Sequence, residues 1–224
     1  MSGLTPAIWK LIGESTLQTL QMVSLSTLFS VILGLPLGIL LCVTAPGRDA
    51  GIRPKPVLNE ILSRIVNILR SFPFIILIIV LFPLSRLIVG TAIGTKSTIV
   101  PLSIAAAPFV ARIVETSLKE VDHGVIQAAR AMGSTDTQIV FKVLLPEALP
   151  SLISGLTLTI INLIGYSAMA GAVGGGGLGD LAIRYGYQRF RPEVMAVAVI
   201  IILVLVEVIQ FIGNRISARM MSKR

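Results

Sequence analysis

The stretch HGVIQAARAMGSTDTQIVFKVLLPEALP, residues 123–150, decides the fold, because it is a polar interruption between two long apolar blocks. Its alanine-rich first part predicts a short helix over residues 125–132, which ends at Gly133. Thr135 and Gln138 match a capping box, so a second helix should begin there. We therefore expect two short helices joined at Gly133, in a segment too polar to lie in lipid.

Other residues mark the borders of this stretch. Gly124 predicts the C-terminal stop of the preceding helix, and Pro146 and Pro150 predict a break and restart after the second short helix. In the preceding helix, Arg112 and Glu115 lie three residues apart and should form an ion pair. The second short helix should bury one apolar side, formed by Ile139, Val140, Val143 and Leu144.

A kinked helix pair outside the membrane is a good docking surface, because small side chains let a partner come close. The small residues are Ala128, Ala129 and Ala131, and the polar rim consists of Gln127, Arg130 and Asp136. The alternative is a folded loop that only connects two membrane helices, and the residue types alone leave both interpretations open.

The composition indicates an integral membrane protein. Of the 224 residues, 54% are hydrophobic and 13% are charged, whereas soluble domains carry about 25% charged residues. The net charge of +8 does not indicate a nucleic-acid partner, since the basic residues lie in loops beside apolar spans. Cys42 and His123, the only residues of their types, are too few for an internal disulfide or a metal centre.

We expect an all-α transmembrane domain over residues 1–224, without a cleavable signal, because the first apolar run is too long for one. The five predicted spans are residues about 17–44, 57–84, 97–118, 149–173 and 194–212. The polar helices at about 123–146 lie between the third and fourth spans. Residues 1–16 predict a separate interfacial helix anchored by Trp9, and Ser71-Phe72-Pro73 predicts a kink in the second span.

The distribution of basic residues predicts the orientation. Of the 19 lysines and arginines, 13 fall on the side of the polar stretch and 6 on the other side. The 13 include Arg48, Lys223 and Arg224. The positive-inside rule then puts the C-terminus and the polar stretch in the cytoplasm and the N-terminus outside.

The fourth predicted span is the candidate for a translocation path. Gly165, Gly171 and the run Gly174–Gly177 allow close helix approach and an unwound helix end. Unwound backbone is tolerated at membrane depth only when it is buried in protein or lines a cavity. The same span contains the polar residues Asn162, Tyr166 and Ser167. The alternative is tight helix packing without contact to a solute.

Polar groups in the other spans should face protein. The early half of the first span should face a bundle interior, because it carries the polar residues Gln18, Thr19, Gln21, Ser24, Ser26 and Thr27. Glu207 and Gln210 lie three residues apart in the fifth span, so we expect Gln210 to be a hydrogen-bond partner of Glu207. We interpret Glu207 as structural, because a proton relay would need further acidic groups. The aromatic residues of the loop before that span predict contact with a delivery protein or an aromatic belt at the membrane surface. They are Tyr185, Tyr187 and Phe190.

Seven residues of the polar stretch form a pattern of fixed spacing: Gln127, Ala128, Ala129, Gly133, Val143, Leu145 and Pro146. This pattern resembles the EAA loop of permease subunits in ATP-binding cassette importers. In that family the loop, within which Arg130 also lies here, is a coupling helix that fits into a groove of the ATPase subunit. Gln127 stands where the family usually has Glu, which removes a charge but keeps a hydrogen-bond acceptor. Val143 stands where Ile is usual.

Most of residues 17–215 are similar to the permeases of methionine importers. The stretches that carry this resemblance include RSFPFII at 70–76, AAPFVAR at 106–112, KVLLPEALP at 142–150 and GYSAM at 165–169. The resemblance implies the type I importer permease fold, with five transmembrane helices and a homodimer whose pathway lies at the two-fold axis. It also implies a bacterial inner-membrane location, and it makes Met169 a gate candidate.

The same resemblance implies partners and a solute. Two ATP-binding ATPase subunits would lie below the permease, and a lipid-anchored substrate-binding protein would lie above it. The solute would be L-methionine, with D-methionine as a further one. No cofactor is expected in this chain, because ATP and Mg²⁺ would be bound by the ATPase. The alternatives are an importer for another small amino acid or related solute and an ion-coupled transporter that uses Glu207, which the scarcity of intramembrane charge disfavours.

Overall fold

The computed structural model describes residues 5–46 and 52–221, so Arg48, Lys223 and Arg224 of the orientation argument lie outside the described residues. Within the described ranges every regular element is a helix. In chain order these are α1 (Pro6–Thr44), α2 (Pro56–Ser71), α3 (Phe74–Val80), α4 (Phe82–Val89), α5 (Thr95–Lys119), α6 (His123–Ala131), α7 (Asp136–Ile139), a π-helical turn (Val140–Leu144), α8 (Leu145–Gly171), α9 (Gly177–Leu181), a second π-helical segment (Ala182–Tyr187) and α10 (Pro192–Met221).

Four helical stretches in the described part of the chain are long and apolar enough to cross a membrane. They are Pro6–Thr44, Thr95–Lys119, Asp136–Gly171 and Pro192–Met221. A fifth span exists if α2 and α3, which meet at a sharp bend, act together. The prediction of an all-helical membrane protein is confirmed at this level.

The second predicted span is broken more deeply than a kink. Pro73 stands at the N-cap of α3 with extended backbone angles, φ −61° and ψ 124°. A second interruption follows at Leu81, after which Pro83 lies in the first turn of α4. Each proline lacks the N–H that a continuous helix would need, so one apolar run of sequence forms three helices.

The separate interfacial helix predicted for residues 1–16 is wrong in its boundary. The helix α1 runs without interruption from Pro6 to Thr44, over 39 residues. At 1.5 Å per residue it is about 58 Å long, roughly twice the hydrocarbon thickness of a bilayer. Trp9 lies near its start with 53% of its surface exposed, where an aromatic ring suits a headgroup region.

The chain forms two compact units. Unit 1 comprises Met1–Phe29, Phe72–Ala106 and Thr159–Gln210, and unit 2 comprises Ser30–Ser71, Ala107–Leu158 and Phe211–Arg224. The main core of unit 1 contains Met22, Ile78, Leu102 and Leu163. The main core of unit 2 contains Val110, Leu118, Ile139 and Leu144.

Two glycines of α1 allow close helix packing inside unit 2. A Cβ on Gly34 would lie 2.6 Å from the carbonyl oxygen of Ala107, and one on Gly38 would lie 2.5 Å from that of Ala111. These positions therefore accept no larger residue without movement of α5. Pro36 lies between these two glycines inside the helix.

Candidate functional site: the coupling segment and the fourth span

The coupling segment, residues 123–146, begins with a side-chain cap. The carboxylate of Asp122 accepts a hydrogen bond from the backbone N–H of Gly124 at 2.6 Å, and α6 starts at His123. Gly124 therefore lies in the first turn of α6, and its prediction as a helix stop is wrong. The preceding helix ends at Lys119 instead, and the Asp122 carboxylate satisfies one free N–H of the next helix.

The bend at Gly133 is confirmed. Gly133 has φ +80°, a left-handed conformation that favours glycine. Its N–H donates to the carbonyl of Arg130 at 2.9 Å, which closes the end of α6. The next helix starts with the predicted capping box, because the Thr135 N–H donates to Gln138 Oε1 at 2.9 Å and the Gln138 N–H to Thr135 Oγ1 at 3.4 Å.

The break predicted at Pro146 and Pro150 is wrong. Helical structure continues from Asp136 to Gly171. The continuity depends on the π-helical turn, in which the Leu145 N–H donates to the carbonyl of Val140, five residues earlier. A proline ring clashes with the carbonyl four residues before it in a regular helix, and the wider turn just before Pro146 relieves this conflict.

The predicted apolar side of the segment packs into the core of unit 2. Ile139, Val140 and Leu144 are buried there, and Val143 and Leu145 are partly buried against them. Ala129 belongs to the same cluster, with only 3% of its surface exposed. Ala129 therefore anchors α6 to its own chain and does not face outward as expected.

The remaining predicted coupling residues lie on the surface of unit 2. Gln127, Ala128, Arg130, Gly133 and Pro146 are exposed. The Arg130 side chain donates to the carbonyl of Ile52 at 3.1 Å, which holds it beside the preceding loop. The coupling role of these residues stays a prediction.

Two exposed apolar side chains of the segment were missed by the sequence analysis. Met132 is 80% exposed and Phe141 is 60% exposed. Both belong to the polar stretch, so a partner docked on this segment would cover apolar as well as polar side chains. The signal was present in the pattern, because Phe141 falls outside the apolar side that contains Ile139 and Val140.

An ion-pair cluster fixes the C-terminal end of α5. Glu115 is 3% exposed and accepts from Arg112 at 2.5 Å, as predicted, and also from Lys119 at 2.7 Å. Arg112 donates further to the side-chain oxygen of Asn67 at 2.9 Å, so the cluster connects α5 with α2. Removal of either cation should lower the stability of the fold, because the buried carboxylate would lose part of its compensating charge.

The glycine-rich end of the fourth span is tightly packed in unit 1. The N–H of Gly177 donates to Gln18 Oε1 at 2.9 Å, and the N–H of Leu178 donates to Thr19 Oγ1 at 2.9 Å. A Cβ on Gly175 would lie 2.7 Å from the carbonyl oxygen of Ala170. The glycine run is therefore tightly packed within the chain, and its contact with a solute stays a prediction. The expectation that the polar early half of the first span faces protein holds for Gln18, Thr19, Ser26 and Thr27 but not for Gln21 and Ser24, which are exposed.

The four predicted path residues divide into two pairs. The Tyr166 ring stacks on Phe74 with centroids 4.6 Å apart, and Ser167 is buried and donates to the carbonyl of Ile164 at 2.7 Å. Asn162 and Met169 are exposed on α8. Tyr166 and Ser167 thus have packing partners within the chain, and the role of all four residues in a path stays a prediction.

The segment before α10, predicted as a loop, is helical from Gly177 to Tyr187, and it holds a buried carboxylate. Asp180 is buried and forms an ion pair with Arg184, and this hydrogen bond raises the pKa of Arg184. Arg189 lies 4.5 Å above the Tyr185 ring, whereas Tyr187 and Phe190 are exposed. Contact of this loop with a delivery protein stays a prediction.

Comparison with known proteins identifies relatives over nearly the whole chain. The family described as "Binding-protein-dependent transport system inner membrane component" matches residues 34–222. The "Probable D-methionine transport system permease protein MetI" of Pasteurella multocida (strain Pm70) is 50% identical over 216 residues, which are 96% of this chain and 98% of that protein. The "Methionine import system permease protein MetP" of Bacillus subtilis (strain 168) is 50% identical over 159 residues, 71% of this chain and 72% of that protein.

A solved structure gives the same result for the fold. A chain in "Inward facing conformations of the MetNI methionine ABC transporter" superposes with a TM-score of 0.93 at 48% identity, covering 96% of this chain and 99% of that chain. This chain therefore belongs to the family of binding-protein-dependent transport system inner membrane components, and it is a membrane permease subunit of an ATP-binding cassette importer, with the type I permease fold.

Proposed function

We propose that this chain is the permease subunit of an ATP-driven importer of methionine, with L-methionine as the main solute and D-methionine as a further one. The proposal rests on one observation: over 96% of its length, this chain is 50% identical in sequence to a protein named as a probable D-methionine transport permease. The relative named for methionine import in Bacillus subtilis supports the same solute.

The proposed topology is one permease domain over residues 1–224 with five spans, in which the bent pair α2 and α3 is the second. The N-terminus lies outside and the coupling segment and C-terminus are cytoplasmic. The excess of basic residues on the cytoplasmic side supports this orientation.

The proposed assembly contains two copies of this chain, two ATPase subunits and an extracytoplasmic substrate-binding lipoprotein in the bacterial inner membrane. ATP and Mg²⁺ are bound by the ATPase, and this chain carries no cofactor. Exposure of Gln127, Ala128 and Arg130 on the coupling segment supports a docked ATPase there.

The proposed mechanism is alternating access. ATP closes the ATPase dimer and moves the docked coupling segments. The continuous helix from Asp136 to Gly171 carries the motion from the coupling segment toward Asn162 and Met169, which line the path. Because helices are stiff, a displacement at one end is delivered at the other.

The test is purification of the complex in mild detergent, followed by uptake of labelled L-methionine into proteoliposomes. A stoichiometric ATPase in the purified complex and ATP-dependent uptake are expected. A chain that purifies without an ATPase in several detergents, with nucleotide present, contradicts the proposal. A complex that hydrolyses ATP but transports a different amino acid contradicts only the choice of solute.

A further inference from the structure

The residues just before α2 are bonded to the end of α1. Residues 52–55, here called the strap, lie immediately ahead of α2. The backbone N–H of Arg53 donates to the carbonyl of Val43 at 3.0 Å, and the N–H of Lys55 donates to the carbonyl of Thr44 at 3.0 Å. The strap is therefore paired with the last turn of α1 and continues directly into α2.

A buried amide strengthens the same junction. Asn59, in the first turn of α2, is 8% exposed. Its Nδ2 donates to the carbonyl of Leu41 at 2.7 Å and to Thr44 Oγ1 at 3.2 Å. Because a buried amide left without partners is costly, these bonds hold the start of α2 against the end of α1. A displacement of the strap therefore acts on both helices.

The strap also contacts the coupling segment, within unit 2, on both sides of its bend. Arg53 Nε donates to Asp136 Oδ2 in an ion pair, and Asp136 is the first residue of α7. The guanidinium of Arg130, which belongs to α6, donates to the carbonyl of Ile52 at 3.1 Å. Since Gly133 bends the chain between α6 and α7, the two links reach opposite arms of the bend.

These two links give the coupling segment a second connection to the helices. Any change in the angle between α6 and α7 breaks one link or moves the strap, because both arms are bonded to the same short piece of chain. The linked residues are 83 and 78 positions apart in sequence, so the covalent chain supplies no such route. A displaced coupling segment therefore moves the start of α2 as well as the continuous helix that begins at Asp136.

The other explanation of the ion pair is a contribution to folding stability, and its exposure argues against this. The side chains of Arg53 and Asp136 are 72% and 34% exposed. Ion pairs open to solvent contribute little to stability, because water and salt screen them. Such a pair can still set the position of the strap, since the core of unit 2 already stabilises the coupling segment.

We propose that Arg53 is a positioning residue for energy coupling. Paired with Asp136, and together with the Arg130 link, it holds the strap on the coupling segment, so that the displacement driven by the ATPase reaches α2. The inference rests on the proposed docking of the ATPase on the coupling segment, and it adds a second route by which that displacement enters the permease. It also gives Arg130 a role within its own chain.

The test uses the whole complex with its ATPase and the binding protein in proteoliposomes, and it measures ATP hydrolysis and uptake of labelled L-methionine in the same vesicles. Asp136→Asn and Arg53→Gln each remove the ion pair, and the capping box of Thr135 stays in both. Each should lower the methionine imported per ATP hydrolysed by about threefold or more, the scale on which substitutions between coupled sites act. The ATPase content and the thermal midpoint should stay at the wild-type values, because the pair is exposed.

A second ion pair of unit 2 is the matched control. Arg64 Nη2 and Glu60 Oε1 lie 2.6 Å apart, with both side chains exposed, but both residues belong to α2. Glu60→Gln therefore removes an exposed Arg–carboxylate pair that connects no two elements, and the ratio of uptake to hydrolysis should not change. Equal losses in Glu60→Gln and Asp136→Asn overturn the proposal, as does an unchanged ratio in Asp136→Asn and Arg53→Gln.

Copurification separates the strap from the ATPase as the partner of these side chains. Arg130→Gln removes the donor to the carbonyl of Ile52, so it should keep the ATPase and lower the ratio. The double variant with Asp136→Asn should lower the ratio further, because both links hold the same strap. Loss of the ATPase from either single variant overturns the proposal, since the side chain would then bind the partner and not the strap.

A covalent link gives a rescue experiment. In a Cys42→Ala background, Arg53→Cys with Asp136→Cys should lower the ratio as the single variants do, and a short bismaleimide that joins the two thiols should restore it. N-ethylmaleimide, which modifies both thiols without joining them, is the control and should restore nothing. A joined complex, verified by mass spectrometry, that stays at the low ratio overturns this inference. The importer function would remain intact, because the wild-type complex would still transport methionine.

Discussion

Gly133 in the coupling segment and Gly171 at the end of α8 are glycines for different physical reasons. Gly133 has φ +80° and open space around it, since a Cβ there would meet nothing within 4 Å. Gly171 has no positive φ, but a Cβ there would run into the backbone of Gly179 and Asp180. The first glycine supplies a backbone conformation, and the second supplies space. Only the requirement for a special backbone conformation, as at Gly133, can be predicted from a local sequence pattern.

The largest expected effect comes from Gly171. Gly171→Ala should destabilise the protein by at least about 2 kcal/mol, because the added methyl group overpacks a backbone contact that cannot yield like a side chain. Gly165→Ala is the matched control in the same helix, and it should be neutral or stabilising by up to about 1 kcal/mol. Thermal unfolding of the purified complex checks both. Equal midpoints for the two variants would contradict the packing described for Gly171.

The second-largest effect is expected from substitution of Gly133, which has a left-handed backbone conformation. Gly133→Val should abolish most ATP-dependent uptake, because a β-branched residue at positive φ costs at least about 1–2 kcal/mol and shifts the start of α7. Gly133→Asn should keep most uptake, since Asn tolerates this conformation. The measurement is uptake per unit of copurified ATPase. If valine and asparagine behaved alike, Gly133 would not be a conformational requirement.

A smaller effect should follow from the exposed apolar residues of the coupling segment. The double substitution Met132→Ser with Phe141→Ser should leave the fold intact, because both side chains are exposed. It should weaken retention of the ATPase by about tenfold, as loss of apolar contacts at an interface does. Phe190→Ser, in the loop before α10, is the control and should retain the ATPase fully. Full retention by the double variant would exclude these side chains from the interface.

The smallest effect is expected at Gln127. Gln127→Glu should change uptake by less than about twofold, because the side chain is exposed and keeps its shape and its acceptor oxygen. The same uptake assay measures it. A loss of uptake with normal expression and normal ATPase content would show that a neutral residue is required at this position.

The comparison of glycines also explains how far the sequence was informative. The capping box of Thr135 and Gln138 and the bend at Gly133 were predictable, because each depends on residues within one helical turn. The buried position of Ala129 and the contact that a Cβ on Gly175 would make with Thr98 Oγ1 were not, since both depend on segments distant in sequence. Among the path residues, the same limit applies to Tyr166, whose ring stacks on Phe74 some ninety residues earlier in the chain.

Prolines show a related limit. Pro73 and Pro83 broke the second span as proline chemistry predicts, although more completely than the expected kink. Pro146 did not break its helix, because the π-helical turn just before it removed the clash. The rule that proline breaks a helix fails where the preceding backbone widens to accommodate the ring. The presence of a proline in the sequence does not reveal whether the backbone will do so.

That turn also bears on the direction of the residues after it. A hydrogen bond over five residues takes up one extra residue within a single helical turn, so the residues after Leu144 keep the direction that a regular helix shorter by one residue would give them. Deletion of one residue between Val140 and Leu144 would therefore allow a regular turn without redirecting Asn162, Gly165 and Met169. It would, however, restore the clash between the ring of Pro146 and the carbonyl four residues before it. The extra residue is thus a reserve of chain length that accommodates the proline and leaves the exposed face of α8 where it is.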